Sequence, residues 1–144
     1  MIHATAFAFL FVTLAACART PEQEGDAGAP ATITDRDWEL VSVGELDNPR
    51  GMQDRPVTIR FDSAAARAAG FAGCNQFSAG YTLRDDSLSF DAPISTKMMC
   101  PDAMQVETSF LGALESVTRY EATDSTLTLH ASSGVMARFR AASP

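Results

Sequence analysis

The stretch Gly70 to Leu83, GFAGCNQFSAGYTL, decides how the chain is read. Two short runs, Gly70 to Cys74 and Phe77 to Leu83, flank a Cys-Asn turn. Asn tolerates left-handed backbone and bonds to nearby peptide groups, while glycine permits positive φ or close strand approach. Gly73 and Asn75 are therefore expected to form a structural turn that presents Cys74, with Gly70 and Gly80 easing the flanking strands. Cys74 itself has three readings: a nucleophile, a metal ligand, or half of a disulfide.

Outward from the turn, short strand signals follow one another. Val57, Ile59 and Phe61 alternate with polar residues, and Leu88-Ser89-Phe90 alternates again after the polar turn Arg84 to Ser87. Trp38 to Val43, Ile94 to Met99, Thr118 to Ala122, Leu127 to Leu129 and Val135 to Phe139 complete the series. Repeated short strands separated by Gly, Asp and Ser predict a mainly β fold, an antiparallel sheet, sandwich or barrel. One segment has a different period. Ala103, Val106, Phe110, Leu111, Leu114 and Val117 fall at helical spacing, so a helix is expected near 102–117 with Asp102 as N-cap and Gln105 completing a capping box. Its apolar stripe would lie on the sheet or plug one end of a barrel.

The 144 residues suffice for one domain with a real core. A net charge of −7, with ten Arg among eleven basic residues scattered along the chain, provides no basic footprint for nucleic acid. The first sixteen residues, MIHATAFAFLFVTLAA, contain no Asp, Glu, Lys or Arg, and their apolar run has the length of a signal-peptide core rather than a bilayer span. That run ends in Leu14-Ala15-Ala16-Cys17, which resembles the bacterial lipobox. The resemblance implies cleavage before Cys17, lipid on its sulfur, and attachment to a membrane through several acyl chains. Because Ala18 is not Asp, the sorting rules of such lipoproteins imply the outer membrane, with the chain facing the periplasm. From 17 to 35 the composition turns to Pro, Gly, Ala, Thr and acids, as expected of a flexible tether that leaves 36–142 as the domain. With Cys17 lipidated, two thiols remain in an oxidising compartment, and parity favours a Cys74–Cys100 disulfide.

Trp38-Glu39-Leu40, the Gly70 to Tyr81 run, Thr96-Lys97-Met98-Met99-Cys100, and Glu107 with Phe110, Leu111 and Leu114 together resemble the META domain, the HslJ-like family of bacterial envelope proteins. The resemblance implies a curved antiparallel sheet, or lipocalin-like half-barrel, with one packed helix. It also implies an envelope setting, in some members linked to heat shock, antibiotic tolerance or virulence. It transfers no reaction.

The remaining residues are read for chemistry. A catalytic thiol needs a base, and outside the leader only His130 is available, at a strand end where partial exposure is expected. Cys74, Cys100 and His130 lack the spacing of a metal site, so neither metal nor cofactor is expected. Met98, Met99 and Met104 gather around Cys100; core packing is favoured over copper(I) binding by their thioethers. Thr96 and Lys97 are expected as strand residues, with Lys97 pointing outward. Glu107 either complements the helix dipole or bonds to the Cys-Asn turn. The expected protein is a monomeric, non-enzymatic envelope lipoprotein with a binding or scaffold role and an envelope protein as partner. The alternative is a carrier of a small hydrophobic ligand held in a half-barrel cavity, with Phe61, Tyr81 and Phe90 facing the ligand.

Overall fold

A computed structural model describes residues 31–143. The expected signal peptide, the expected lipidation site Cys17 and most of the expected tether lie outside the described residues.

Alternation of apolar and polar residues organises ten strands. These are β1 (Asp37–Val43), β2 (Leu46–Asp47), β3 (Thr58–Asp62), β4 (Arg67–Phe71), β5 (Gln76–Arg84), β6 (Ser87–Phe90), β7 (Ile94–Ser95), β8 (Arg119–Ala122), β9 (Thr126–Ala131) and β10 (Gly134–Ala141). In β3 the pattern is strict: Ile59 and Phe61 are buried while Arg60 and Asp62 are exposed. The order β10-β9-β8-β6-β5-β4-β3-β1 closes on itself because β1 also pairs with β10, Trp38 facing Ala141 and Glu39 facing Arg140. The result is a closed eight-stranded antiparallel barrel, with β2 added at β1 and β7 at β5. The expected β-rich fold with one packed helix is therefore present.

The helix α1 (Met104–Ser116) places Phe110, Ala113 and Leu114 toward the barrel, together with Glu107. Phe110 meets Phe77 edge-on at 5.4 Å and Phe139 at 6.1 Å, which locks the helix to strands from opposite parts of the sequence. Asp102 does not cap this helix. The N-cap position is Ala103, without a side-chain cap, and the backbone N–H groups of Ala103 and Met104 instead donate to the Cys100 carbonyl. A tight turn after the disulfide thus leads into the helix in place of the expected capping box.

Three other expectations are corrected. Residues 31–35 belong to the domain: Ile33 is buried, its carbonyl accepts the Trp38 indole N–H at 2.9 Å, and Thr34 bridges to Phe61. Composition alone concealed this, because a single apolar residue anchors the segment. Ile94 to Met99 is a strand only over its first two residues. Gly70 to Cys74 is a strand only to Phe71, with β4 beginning earlier, at Arg67, in an alanine-rich run that carries little strand signal.

The interior holds one contiguous apolar cluster that includes Trp38, Phe61, Leu88, Phe110, Leu129 and Phe139. Phe61 is fully buried, with the rings of Tyr81 at 5.4 Å and Phe90 at 6.0 Å. The three residues expected to face a ligand thus pack on one another, and large side chains fill the space that a hollow barrel would leave. Burial of the Tyr81 ring, followed by the charges of Asp35 and Asp62, holds its hydroxyl above the usual phenol range.

Candidate functional site

The Cys-Asn turn, the start of α1, the segment after β7 and the loop before β3 converge at one end of the barrel. Each is fixed by a specific bond. Gly73 has φ +129°, a conformation that side-chain-bearing residues rarely adopt, and its carbonyl accepts the Met52 N–H at 2.7 Å. Gly51 faces the same carbonyl so closely that a Cβ there would overlap it. The turn itself closes through Ala72 N–H donating to the Asn75 carbonyl at 2.8 Å.

Glu107 points from the first turn of α1 into this knot and is 5% exposed. One carboxylate oxygen, Oε2, accepts the backbone N–H groups of Cys74 at 3.1 Å and Asn75 at 2.7 Å; the other accepts from Asn75 Nδ2 at 2.9 Å. Of the two alternatives for Glu107, bonding to the turn is the one realised. Asn75, 2% exposed, uses its whole amide. Its Nδ2 also donates to the Met98 carbonyl at 3.0 Å, while Oδ1 accepts the Thr96 hydroxyl at 2.9 Å and the Met98 N–H at 2.7 Å. Two donors and two lone pairs are all matched, so Asn75 has no capacity left for a ligand. The Cys74–Cys100 disulfide spans the same knot, as parity predicts. Gly73 and Asn75 therefore form the structural turn.

This knot explains why residues 96–99 are not a strand. Asn75 captures both backbone polar groups of Met98, replacing the ladder bonds a sheet would supply. Met98 and Met99 consequently stand 51% and 79% exposed rather than packed in the core, and Met104 is half-buried. Lys97 is exposed, as expected.

Beside the knot opens a cleft of about 480 Å³, lined among others by Met52, Gln53, Asp54, Met99, Pro101 and Asp102. The Met52 sulfur lies 3.6 Å from that of Cys100. Gln53 and Asp54 both have φ of 58°, and left-handed backbone at such residues costs about 1 kcal/mol each. Among the charged residues lining the cleft both are acidic, Asp54 and Asp102. Sequence reasoning missed this loop. Pro49 and Gly51 mark it as a turn, but nothing local says that it crosses to Gly73.

His130 stands next to last in β9, near the strand end as expected, but it is buried rather than partly exposed. It sits within β9, 8% exposed, and its Nε2 finds no hydrogen-bond partner among the described residues. Glu121 Oε1 lies 3.6 Å from that nitrogen but is engaged by Arg119 at 2.8 Å. The Arg119 hydrogen bond, then the His130 charge, hold the Glu121 carboxyl below its ordinary range. Cys74 and Cys100 are joined in a disulfide, so neither offers this imidazole a thiol to activate. No group of three or more His, Cys, Asp or Glu among the described residues is placed to hold a metal ion. No helix among them is long and apolar enough to cross a membrane.

A family model described as the META domain matches residues 31–143, the whole described barrel and its helix. The chain belongs to the META domain family. This META domain is similar to a protein from Burkholderia xenovorans solved by NMR, at 26% identity and TM-score 0.65, covering 88% of this chain and 99% of that one. A second NMR structure, at 21% identity and TM-score 0.59, covers 76% of this chain and 91% of its own, and shows the shared fold. No curated protein matches.

Proposed function

We propose that this META domain protein is a non-enzymatic lipoprotein of the bacterial envelope. Cys17 carries the lipid, the segment that follows holds the domain off the outer membrane, and the domain faces the periplasm. Its role is binding or scaffolding in envelope stress tolerance. One observation carries the reading: the residues that mark the family spend their polar groups on one another. Glu107, Asn75, Thr96 and the Met98 backbone form a closed set that holds a cleft in shape and presents neither a nucleophile nor a base. The Cys74–Cys100 bond supports export, since such bonds persist in oxidising compartments.

A carrier of a small hydrophobic ligand is the second reading. With the interior filled, its support moves to the cleft beside Met52 and Met99, whose volume of about 480 Å³ suits a small molecule.

Mass spectrometry of the protein purified from its own envelope tests the first reading. The expected result is a chain that begins at Cys17 and carries a diacylglyceryl thioether, with Cys17→Ser released into the soluble periplasmic fraction. An unmodified Cys17 in membrane-bound protein would reject it.

A further inference from the structure

The large apolar residues left exposed are unevenly placed. Ile94 at 67%, Met98 at 51% and Met99 at 79% stand within six consecutive residues, whereas Val135 at 40% is alone. The same segment includes β7, which pairs with β5 and with no other strand among the described residues. Its register leaves a free edge. Thr96 N–H donates to the Gln76 carbonyl, so Thr96 is hydrogen-bonded across to β5. Ser95, opposite Phe77, is then the alternate, non-bonded partner. Its N–H and C=O are directed away from β5 and have no backbone partner among the described residues. An open strand edge with apolar side chains is a template for another strand, which native proteins ordinarily cover or charge.

Two clefts lie along this segment. One, of about 320 Å³, is formed by Gln76, Phe77 and Ser78 against Ile94, Ser95 and Thr96. The other is the acid-bearing cleft, walled by Met99 and Pro101, with Asp54 and Asp102 as its charged side chains. Exposed Met98 and Met99 connect them. Resting on the reading of this domain as a binding module, we propose that the β7 edge takes an extended polypeptide strand of a partner protein. The strand adds to Ser95 by backbone pairing, lays apolar side chains over Ile94, Met98 and Met99, and places a Lys or Arg in the cleft between Asp54 and Asp102. Charge selects this occupant over a second copy of the chain, because two chains of net charge −7 repel. The backbone supplies affinity, and the apolar and acidic positions supply specificity. Lys97, the one cation of the segment, is exposed and tempers the acidity without cancelling the two carboxylates.

The test uses full chain purified from the envelope in detergent and a fluorescein-labelled peptide of about ten residues, alternating Val and Thr around a central Arg. Fluorescence anisotropy should report binding that Ser95→Pro weakens about tenfold, the loss of roughly one backbone pairing. Because the Ser95 N–H serves no internal ladder bond, that variant should keep its circular dichroism. Met99→Ser at an exposed position should weaken binding with the fold untouched. Joining Asp54→Asn with Asp102→Asn should remove any preference for the Arg peptide over a Glu counterpart. Equal binding by wild type and Ser95→Pro, or no binding at millimolar peptide, overturns the proposal. So does sedimentation showing a dimer that Ser95→Pro dissolves, which would make a second copy the occupant. Loss of lipid at Cys17 alone would reject the lipoprotein assignment and leave these peptide results standing.

Discussion

The knot and the β8–β9 face each bury polar side chains, and they treat them oppositely. At the knot, Glu107 and Asn75 are matched atom for atom, to each other and to the Cys74, Asn75 and Met98 backbone. On the β8–β9 face, His130 is almost as buried, yet among the described residues its Nε2 has no hydrogen-bond partner, and its nearest carboxylate is engaged by Arg119. A satisfied buried network rigidifies its surroundings, while an unmatched group carries its desolvation as a cost. The contrast separates residues that shape the cleft from a residue the fold merely tolerates.

The largest effect is expected from Glu107→Ala, which strands two backbone N–H groups and one amide donor in a buried site. Urea unfolding should show a loss of about 4 kcal/mol, with Glu107→Gln recovering part of it because one oxygen still accepts two bonds. A loss under about 1 kcal/mol would mean that water replaces the carboxylate and the knot is not dry. Next come Cys74→Ser and Cys100→Ser, each lowering stability by roughly 3.5 kcal/mol on the chain-entropy account of a bond whose cysteines are 26 residues apart. The double variant should lose no more than either single one, whereas additive losses or two titratable thiols in the native protein would break the staple assignment. Gly73→Ala follows, at about 2 kcal/mol, because its positive φ is strained for any side chain; thermal unfolding measures it. His130→Leu is the smallest, within about 0.5 kcal/mol of wild type, since it removes only a 3.5 Å contact of Nδ1 to Arg119 and a solvent-screened charge interaction with the exposed Glu121. A large loss there would dissolve the contrast by revealing an ordered water as the missing partner.

Acid sharpens the same comparison on the β8–β9 side. The folded Glu121 carboxyl titrates below its ordinary value of 4.5, so its contribution is present above that pH and disappears as pH falls through the folded value. Stability measured across this window should slope less steeply in Glu121→Gln. An unchanged slope would mean that Arg119 and His130 exert no effect on this carboxylate in solution.

The legible parts of the molecule were those with local periodicity or chemical necessity. The α1 stripe from Val106 to Leu114 and the alternation in β3 follow from neighbours in sequence, and the pairing of Cys74 with Cys100 follows from cysteine parity. What stayed hidden depends on partners far along the chain. Met98 reads as strand until Asn75, 23 residues earlier, takes its N–H and carbonyl. Asp102 reads as an N-cap until the Cys100 turn supplies the first helical bonds. Ile33 reads as tether until the Trp38 indole reaches its carbonyl. For the cleft, the turn and its staple were readable, but the wall from Met52 to Asp54 was not, because only the Gly73 carbonyl brings that loop across.

The two ends of the described barrel also determine how the protein can be handled. Asp37, near the beginning of the domain, accepts a hydrogen bond from Ala142, near its close, so both ends leave from one rim. β3 and β4 run between that rim and the opposite one, where Gly51, Gly73 and Asn75 meet. A fluorophore, affinity handle or fused reporter attached at either end will therefore stand a barrel's length from the cleft. Joining the ends with a short linker and reopening the chain at the exposed Asp85-Asp86 turn is a permutation that this geometry accommodates.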